Sequence, residues 1–389
     1  MSSNDSESGD IRGYMSEAGS KFIINDHVQW YIDIAFLFVS LPFFSVSGIL
    51  FNITNVIVFT KTGLSDCVTM AVLFLATSDF LLCFTTLFNV LSSVTKADNS
   101  YIPGSYGLYN YLFLLSTWTR EMFVDTSLLL TVFVSLERCL CVTWPLKFKT
   151  LFTTKKAAVI STAITCGTIV SYIPVQLSQG IREQYDVTTN RTHLMLWFSE
   201  DRGEIIKYSN SFHRLFLHNA SLASITTSAI LMAFRLRASA GFRQRATSAE
   251  PGDKNNTRAL SRKDSRVVTM VFLVALASII LLLPSMLFVS ARRVLPDLGQ
   301  QPRFMNLIST LMEIMFIFST LNANVNIFIY YNFNSRYRQY LQQYLQCQKA
   351  PSSSLPDFVQ SLPMAVLTVA ILLATFTFVL AELDRVLPK

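Results

Sequence analysis

Apolar residues run in seven long blocks, near 34–60, 68–94, 109–143, 157–178, 209–234, 267–290 and 305–331, separated by more polar or charged stretches. Each block meets the roughly 20 residues that a helix rising 1.5 Å per residue needs to cross about 30 Å of hydrocarbon. Unpaired backbone groups are costly there, so blocks of this length predict helices whose hydrogen bonds close internally. The pattern predicts an all-α membrane protein, a seven-transmembrane helix bundle. Past the seventh block, Phe333, Tyr337, Tyr340, Leu341, Tyr344 and Leu345 recur at helical spacing. That spacing predicts an amphipathic helix over 332–347 lying on the inner leaflet of the lipid bilayer. An eighth apolar segment, 362–381, is long enough to span, or to lie buried in one leaflet. The predicted organisation is a tail over 1–33, a body over 34–331, the amphipathic helix over 332–347, and a C-terminal tail over 348–389.

Composition agrees: 51% hydrophobic and 15% charged residues in 389 excludes an ordinary soluble domain. The net charge of +7 is unevenly spread, and its distribution points away from nucleic acid. Arg235, Arg237, Arg243, Arg245, Lys254, Arg258, Arg262, Lys263 and Arg266 crowd between blocks five and six, and Lys147, Lys149, Lys155 and Lys156 between three and four. The N-terminal tail instead carries Asp5, Glu7, Asp10 and Glu17. The positive-inside rule makes the basic loops cytosolic and the N-terminus extracellular, for a multi-pass protein of the plasma membrane. Arg292-Arg293 run against that rule in the third outer loop. Residues 1–25 hold no apolar core of signal-peptide type, so the first span is expected to direct insertion.

The same orientation places the glycosylation acceptors Asn4 and Asn190 outside. The six cysteines fall within blocks or on the inner side, so no disulfide is expected in the oxidising compartment. Cys347 ends the amphipathic helix, where palmitoylation and an unmodified thiol are equally open. Ser248 and Ser265 follow basic residues in the manner of kinase sites.

Polar groups inside the blocks carry the functional reading. An arginine at mid-bilayer costs about 2.5–3.5 kcal/mol, less near the interface, so ionisable side chains there face protein or water. Arg120, Ser127 and Arg138 are 7 and 11 residues apart and share one helix face. Asn322, Asn326 and Tyr330 do the same in block seven, while Asp79 and Asn52 add polar groups to blocks two and one. Asp79, Ser127, Asn322 and Asn326 could furnish oxygen ligands for a small hard cation, a structural sodium ion, or form an interhelical hydrogen-bond network without one. No other cofactor is expected.

Several motifs, in order, resemble those of the rhodopsin-like (class A) G-protein-coupled receptors across 34–347. Asn52 is similar to that family's asparagine of span one, and Leu75 to Leu81 to its L-A-x-x-D-L element. Glu137-Arg138-Cys139 resembles the D/E-R-Y motif, with Pro145 seven residues on. Pro284 stands where the family has its span-six proline, and Asn326-Ile327-Phe328-Ile329-Tyr330 resembles N-P-x-x-Y without the proline. Asp264 lies where many members hold an acidic partner for the arginine. The departures resemble divergent invertebrate chemosensory or peptide-receptor-like groups: Phe113 replaces a disulfide-forming cysteine, and Leu282 the span-six tryptophan.

The resemblance implies a receptor for an extracellular ligand that activates a heterotrimeric G protein. Arg138, held by Glu137 and Asp264, would be released as span six swings outward about Pro284. Arg120 occupies the level where aminergic members carry aspartate, and Thr320 the retinal-attachment level, which argues against amines and retinal. Arg120, Glu121, Arg214, His218 and Glu313 make up the candidate pocket for a peptide or a zwitterionic or anionic small molecule. Alternatively, Arg120 and Glu313 neutralise each other between helices. His213 and His218 are expected in hydrogen bonds or at the interface rather than on a metal. The rival reading is a transporter or channel using the Asp79 network, which the absence of an internal repeat disfavours. No cluster suits an enzyme.

Overall fold

The computed structural model describes residues 23–63, 66–98, 105–144, 152–186, 191–246, 254–295 and 301–347. Asn4, Pro145, Asn190, Ser248 and the segment 362–381 lie outside the described residues, as do the side chains of Asp264, Ser265 and Cys347. Among the described residues, seven helices long and apolar enough to cross a membrane run over Asp26–Thr62, Cys67–Thr95, Leu108–Thr143, Thr154–Leu177, Arg202–Arg235, Val268–Arg292 and Met305–Phe333, here spans one to seven. They follow the seven apolar blocks in order. Span seven is the most enclosed, with 72% of its apolar window buried against 22% in spans one and four.

Two departures from simple helices matter at the N-terminal end of the bundle. Span one starts eight residues before the apolar block, because the Asn25 side chain accepts a hydrogen bond from Val28 N at 2.8 Å and satisfies one free helix N–H. Both span one and span five contain a π-helical turn, Ile34–Ser40 and Ser211–Leu217. The span-six helix also extends backward to Lys254, so part of the basic stretch between blocks five and six is helical.

The connection between spans four and five holds a β-hairpin that hydropathy did not reveal. Strand β1 (Gln179–Asp186) pairs antiparallel with β2 (Arg191–Phe198), in register from Gln179 opposite Phe198 to Asp186 opposite Arg191. Asn110 Nδ2 on span three donates to Leu194 O at 2.7 Å, and Arg202 Nη1 donates to Gln179 Oε1 at 2.8 Å. These bonds tie the hairpin to the bundle end opposite Arg138. The two ends are called below the hairpin end and the Arg138 end.

At the Arg138 end, helix α1 (Ser335–Cys347) follows span seven after a break at Asn334. Tyr337 points inward rather than outward. Its hydroxyl donates to Asn55 Oδ1 at 2.7 Å, and its ring packs beside Phe59 and Tyr330, 5.3 and 6.0 Å between centroids. Burial pushes the Tyr337 phenol's pKa above its ordinary value, so it remains a hydrogen-bond donor. Asn55 Nδ2 donates in turn to Asn52 Oδ1, and Asn52 Nδ2 to Ala323 O, at 3.1 Å each. One chain of hydrogen bonds thus joins α1, span one and span seven.

Small residues allow spans one and two to close. A Cβ added at Gly48 would collide with Cys83 Sγ and come within 3.0 Å of Asn324 Nδ2. Close backbone approach of this kind is a main source of helix association where lipid is as apolar as the side chains. Gly48→Ala is therefore expected to lower the melting temperature of the purified protein in detergent. Adding Cys83→Ala should return part of that loss, as scored in a double-mutant cycle; strictly additive losses would contradict this packing.

Candidate functional site

The polar residues of the bundle form three tiers along span three. At the Arg138 end, Glu137 is buried and Arg138 is 14% exposed at its side chain. Arg138 Nη2 lies 3.4 Å from Glu137 Oε1, at the long limit of a hydrogen bond. Arg138 Nε and Glu137 Oε2 are buried with no hydrogen-bond partner among the described residues. The pair is joined yet incompletely satisfied. Tyr330 is buried nearby in an edge contact with Phe59, 5.2 Å between ring centroids, and Pro284 sits within span six.

The middle tier centres on Asp79, whose side chain is fully enclosed. Ser127 Oγ donates to Oδ1 at 2.5 Å and Asn326 Nδ2 to Oδ2 at 2.9 Å, linking spans two, three and seven. Asn322 is buried but does not bond to Asp79, and Asn52 bonds to the span-seven backbone instead. Of the four oxygen-bearing residues named for a cation, three meet at one point.

The third tier lies toward the hairpin end and is the most charged. Arg120 is enclosed, and every arm of its guanidinium is engaged. Nη1 donates to Glu121 Oε1 at 2.8 Å and Nε to Thr86 Oγ1 at 3.1 Å. Nη2 donates to Ser319 Oγ at 2.5 Å, and the guanidinium carbon stacks 4.0 Å from the Phe316 ring centroid. Glu121 Oε2 takes Arg214 Nη2 of span five at 2.6 Å, so one carboxylate is shared by two guanidiniums. This arrangement corrects the expected Arg120–Glu313 neutralisation. Glu313 faces Asp33 of span one instead, where Gln29 and Thr310 extend the contact. Its position on span seven is a turn nearer the hairpin end than Phe316, out of line with a guanidinium already committed to Glu121.

Four of the five pocket candidates, Arg120, Glu121, Arg214 and His218, line one cavity; Glu313 does not. That cavity leaves only about 20 Å³, space for about one water. Arg214 and Met315 also line a second, wider cavity of about 350 Å³ toward the hairpin end, together with Trp118, Phe288, Arg292 and Met312.

Beside the shared carboxylate stands a cluster that sequence spacing did not reveal. Asp125 of span three accepts from the Tyr172 hydroxyl of span four at 2.8 Å. His218 Nε2 meets Asp125 Oδ1 at 2.7 Å, and His213 Nδ1 lies 2.8 Å from Oδ2, out of line for a hydrogen bond. The two histidines are five residues apart, which in an α-helix turns them about 140° away from each other. The π-helical turn closes i to i+5, with the His218 N–H bonded to His213 O, and brings both onto one face. All three partner side chains are buried. Asp125 thus clamps spans three, four and five.

Residues 38–348 match the family model for the serpentine type 7TM GPCR chemoreceptor Srw. This chain belongs to the Srw chemoreceptor family. No curated protein matches it. Membership makes this a seven-transmembrane receptor and multi-pass membrane protein of a chemoreceptor family rather than an enzyme family. The Srw match covers all three polar tiers and the amphipathic helix but ends before 362–381.

In this Srw receptor the Arg120–Glu121–Arg214 triad is the most demanding charge arrangement. Removing one member of a buried charged group leaves the remainder uncompensated and costs about 3–5 kcal/mol, whereas well-packed apolar replacement of the whole group is often neutral. Glu121→Ala, which strands two guanidiniums, is expected to depress the detergent melting temperature more than Arg120→Ala. The triple replacement Arg120→Met, Glu121→Leu, Arg214→Met should recover most of the loss. If Glu121→Ala melts like wild type, the carboxylate does not hold the tier together.

Proposed function

We propose that this chemoreceptor binds an extracellular ligand, a peptide or small chemosensory molecule, at the hairpin end and activates a heterotrimeric G protein at the Arg138 end. The hairpin end and the N-terminus then face outside at the plasma membrane, in keeping with the basic loops on the Arg138 side. The observation that carries the reading is the loosely satisfied Glu137–Arg138 pair at the opposite end of span three from the cavities. A buried guanidinium with one unmet N–H gains from any partner that supplies an acceptor, such as the chain of a G protein.

Ligand binding needs only to favour one of two arrangements of span six. Pro284 interrupts the helix hydrogen bonding of that span and provides the place for it to bend. Outward movement would part span six from the inner end of span three and open Arg138. A ligand preferring the open state by about 10⁴-fold takes the population from 1:99 to 99:1; smaller preferences give partial agonism.

Nucleotide exchange on a panel of heterotrimers, with receptor reconstituted in nanodiscs, checks the proposal. Arg138→Ala should abolish receptor-stimulated exchange, while Glu137→Gln, which weakens the hold on the guanidinium, should raise the basal rate several-fold. Wild-type exchange in the Arg138→Ala protein at matched receptor amount would exclude this role for the arginine.

A further inference from the structure

The cavity of about 350 Å³ is lined by hydrogen-bond donors that the protein leaves without acceptors. Trp118 Nε1 is buried and has no hydrogen-bond partner among the described residues, and an indole N–H can only donate. Arg292 enters from span six, where its guanidinium lies 5.8 Å from the Phe288 ring centroid and no described carboxylate pairs with it. Arg214 enters from span five with one nitrogen on Glu121 and a quarter of its side chain exposed. The described residues lining the two adjoining cavities thus bring three guanidiniums, Arg120, Arg214 and Arg292, against the single carboxylate of Glu121. Arg120 is consumed within the fold, so the surplus charge belongs to Arg214 and Arg292. Of the remaining walls, Asn210 and Ser211 on span five are polar, and Leu215, Phe288, Val289, Met312 and Met315 form an apolar side.

Resting on the receptor reading above, we infer that the ligand is a small amphipathic carboxylate. Its anionic head lies between Arg214, Arg292 and the Trp118 N–H, and its apolar body lies against Phe288, Met312 and Met315. Guanidinium forks match a carboxylate in two parallel hydrogen bonds. The same site accounts for the Arg292 that breaks the positive-inside pattern: its charge is there for a ligand and not for topology. An anion bridging Arg214 and Arg292 draws on spans five and six together, and Arg292 stands eight residues, about two helical turns, beyond Pro284. Occupancy therefore acts on the segment that bends.

The test uses the full-length receptor in phosphatidylcholine nanodiscs and three skeleton-matched sets of probes. Each set is a carboxylate with its alcohol and amine counterparts, built on 3-phenylpropyl, hexyl and decyl skeletons, read by ligand-induced rise in melting temperature. At least one carboxylate should stabilise wild type in a dose-dependent way, with its alcohol and amine at least tenfold weaker. Arg292→Gln should weaken that carboxylate by about tenfold or more, the loss expected for a charge-assisted contact, and Trp118→Phe by roughly threefold to tenfold. The unliganded melting temperature of each variant reports folding. Arg292→Glu should shift preference to the amine of the same skeleton, which a general loss of structure cannot produce. Equal stabilisation by acid, alcohol and amine in every set, or undiminished acid binding in Arg292→Gln, overturns the assignment. Tighter binding of the phosphate ester of the same skeleton overturns the choice of carboxylate. Nucleotide exchange measured alongside separates the two readings. A carboxylate that binds in this way without changing exchange on any heterotrimer counts against the coupling mechanism and leaves the site standing. Exchange driven by another ligand, with no carboxylate bound, does the reverse.

Discussion

A guanidinium carried into hydrocarbon must find both its countercharge and its hydrogen bonds in the protein, and Arg120 finds them through Glu121, Thr86 and Ser319 on three spans. The rest of the hairpin-end half follows from that requirement. Glu121 can balance Arg120 only by being buried itself, and its second oxygen is then satisfied by Arg214 of span five. Asp125, one turn further along span three, draws in Tyr172 and His218 by hydrogen bonds and His213 at contact distance. Four spans are registered against span three by charges that no lipid could accommodate.

Span seven performs the corresponding task toward the Arg138 end, through neutral groups. Asn326 reaches Asp79, Asn324 reaches the span-one backbone at Phe44 O, and Ala323 O receives Asn52. Tyr337 carries the same network into the amphipathic helix. The difference between the two ends is physical. The Arg120–Glu121–Arg214 triad toward the hairpin end is closely paired and costly to disturb, whereas Glu137 and Arg138 meet only at 3.4 Å and each keeps an unmet buried atom. In the proposed mechanism, that difference keeps the cavity in place while the Arg138 end rearranges.

The seven spans were legible because hydrocarbon thickness dictates helix length, and the apolar blocks declare themselves within a few residues of the observed ends except at the starts of spans one and five, which reach eight and seven residues further. Asp79, Ser127 and Asn326 were likewise legible, Asp79 because an ionisable group in hydrocarbon turns toward protein and the other two because α-helical spacing put them on shared polar faces. The charge pairing was not. Arg120 and Glu121 are sequence neighbours, and neighbours on a helix diverge by about 100°; only the length of the two side chains lets them meet. The His213–His218–Asp125 cluster stayed hidden because a π-helical turn changed the periodicity on which the reading depended. The hairpin escaped because its strands are only eight residues each, and β1 is too polar, to stand out beside spans. Arg292 was visible as an anomaly of charge, but the cavity it lines appeared only in the structure.

Distance measurement across the Arg138 end reads the movement of span six directly. Spin labels introduced through Thr143→Cys and Thr269→Cys, with the native cysteines replaced, report the separation of spans three and six by double electron–electron resonance. Addition of nucleotide-free heterotrimeric G protein to the receptor in nanodiscs should create a population at longer distance that shrinks when guanine nucleotide is returned. A distance distribution unchanged while the G protein is demonstrably bound would contradict release of Arg138 by span six.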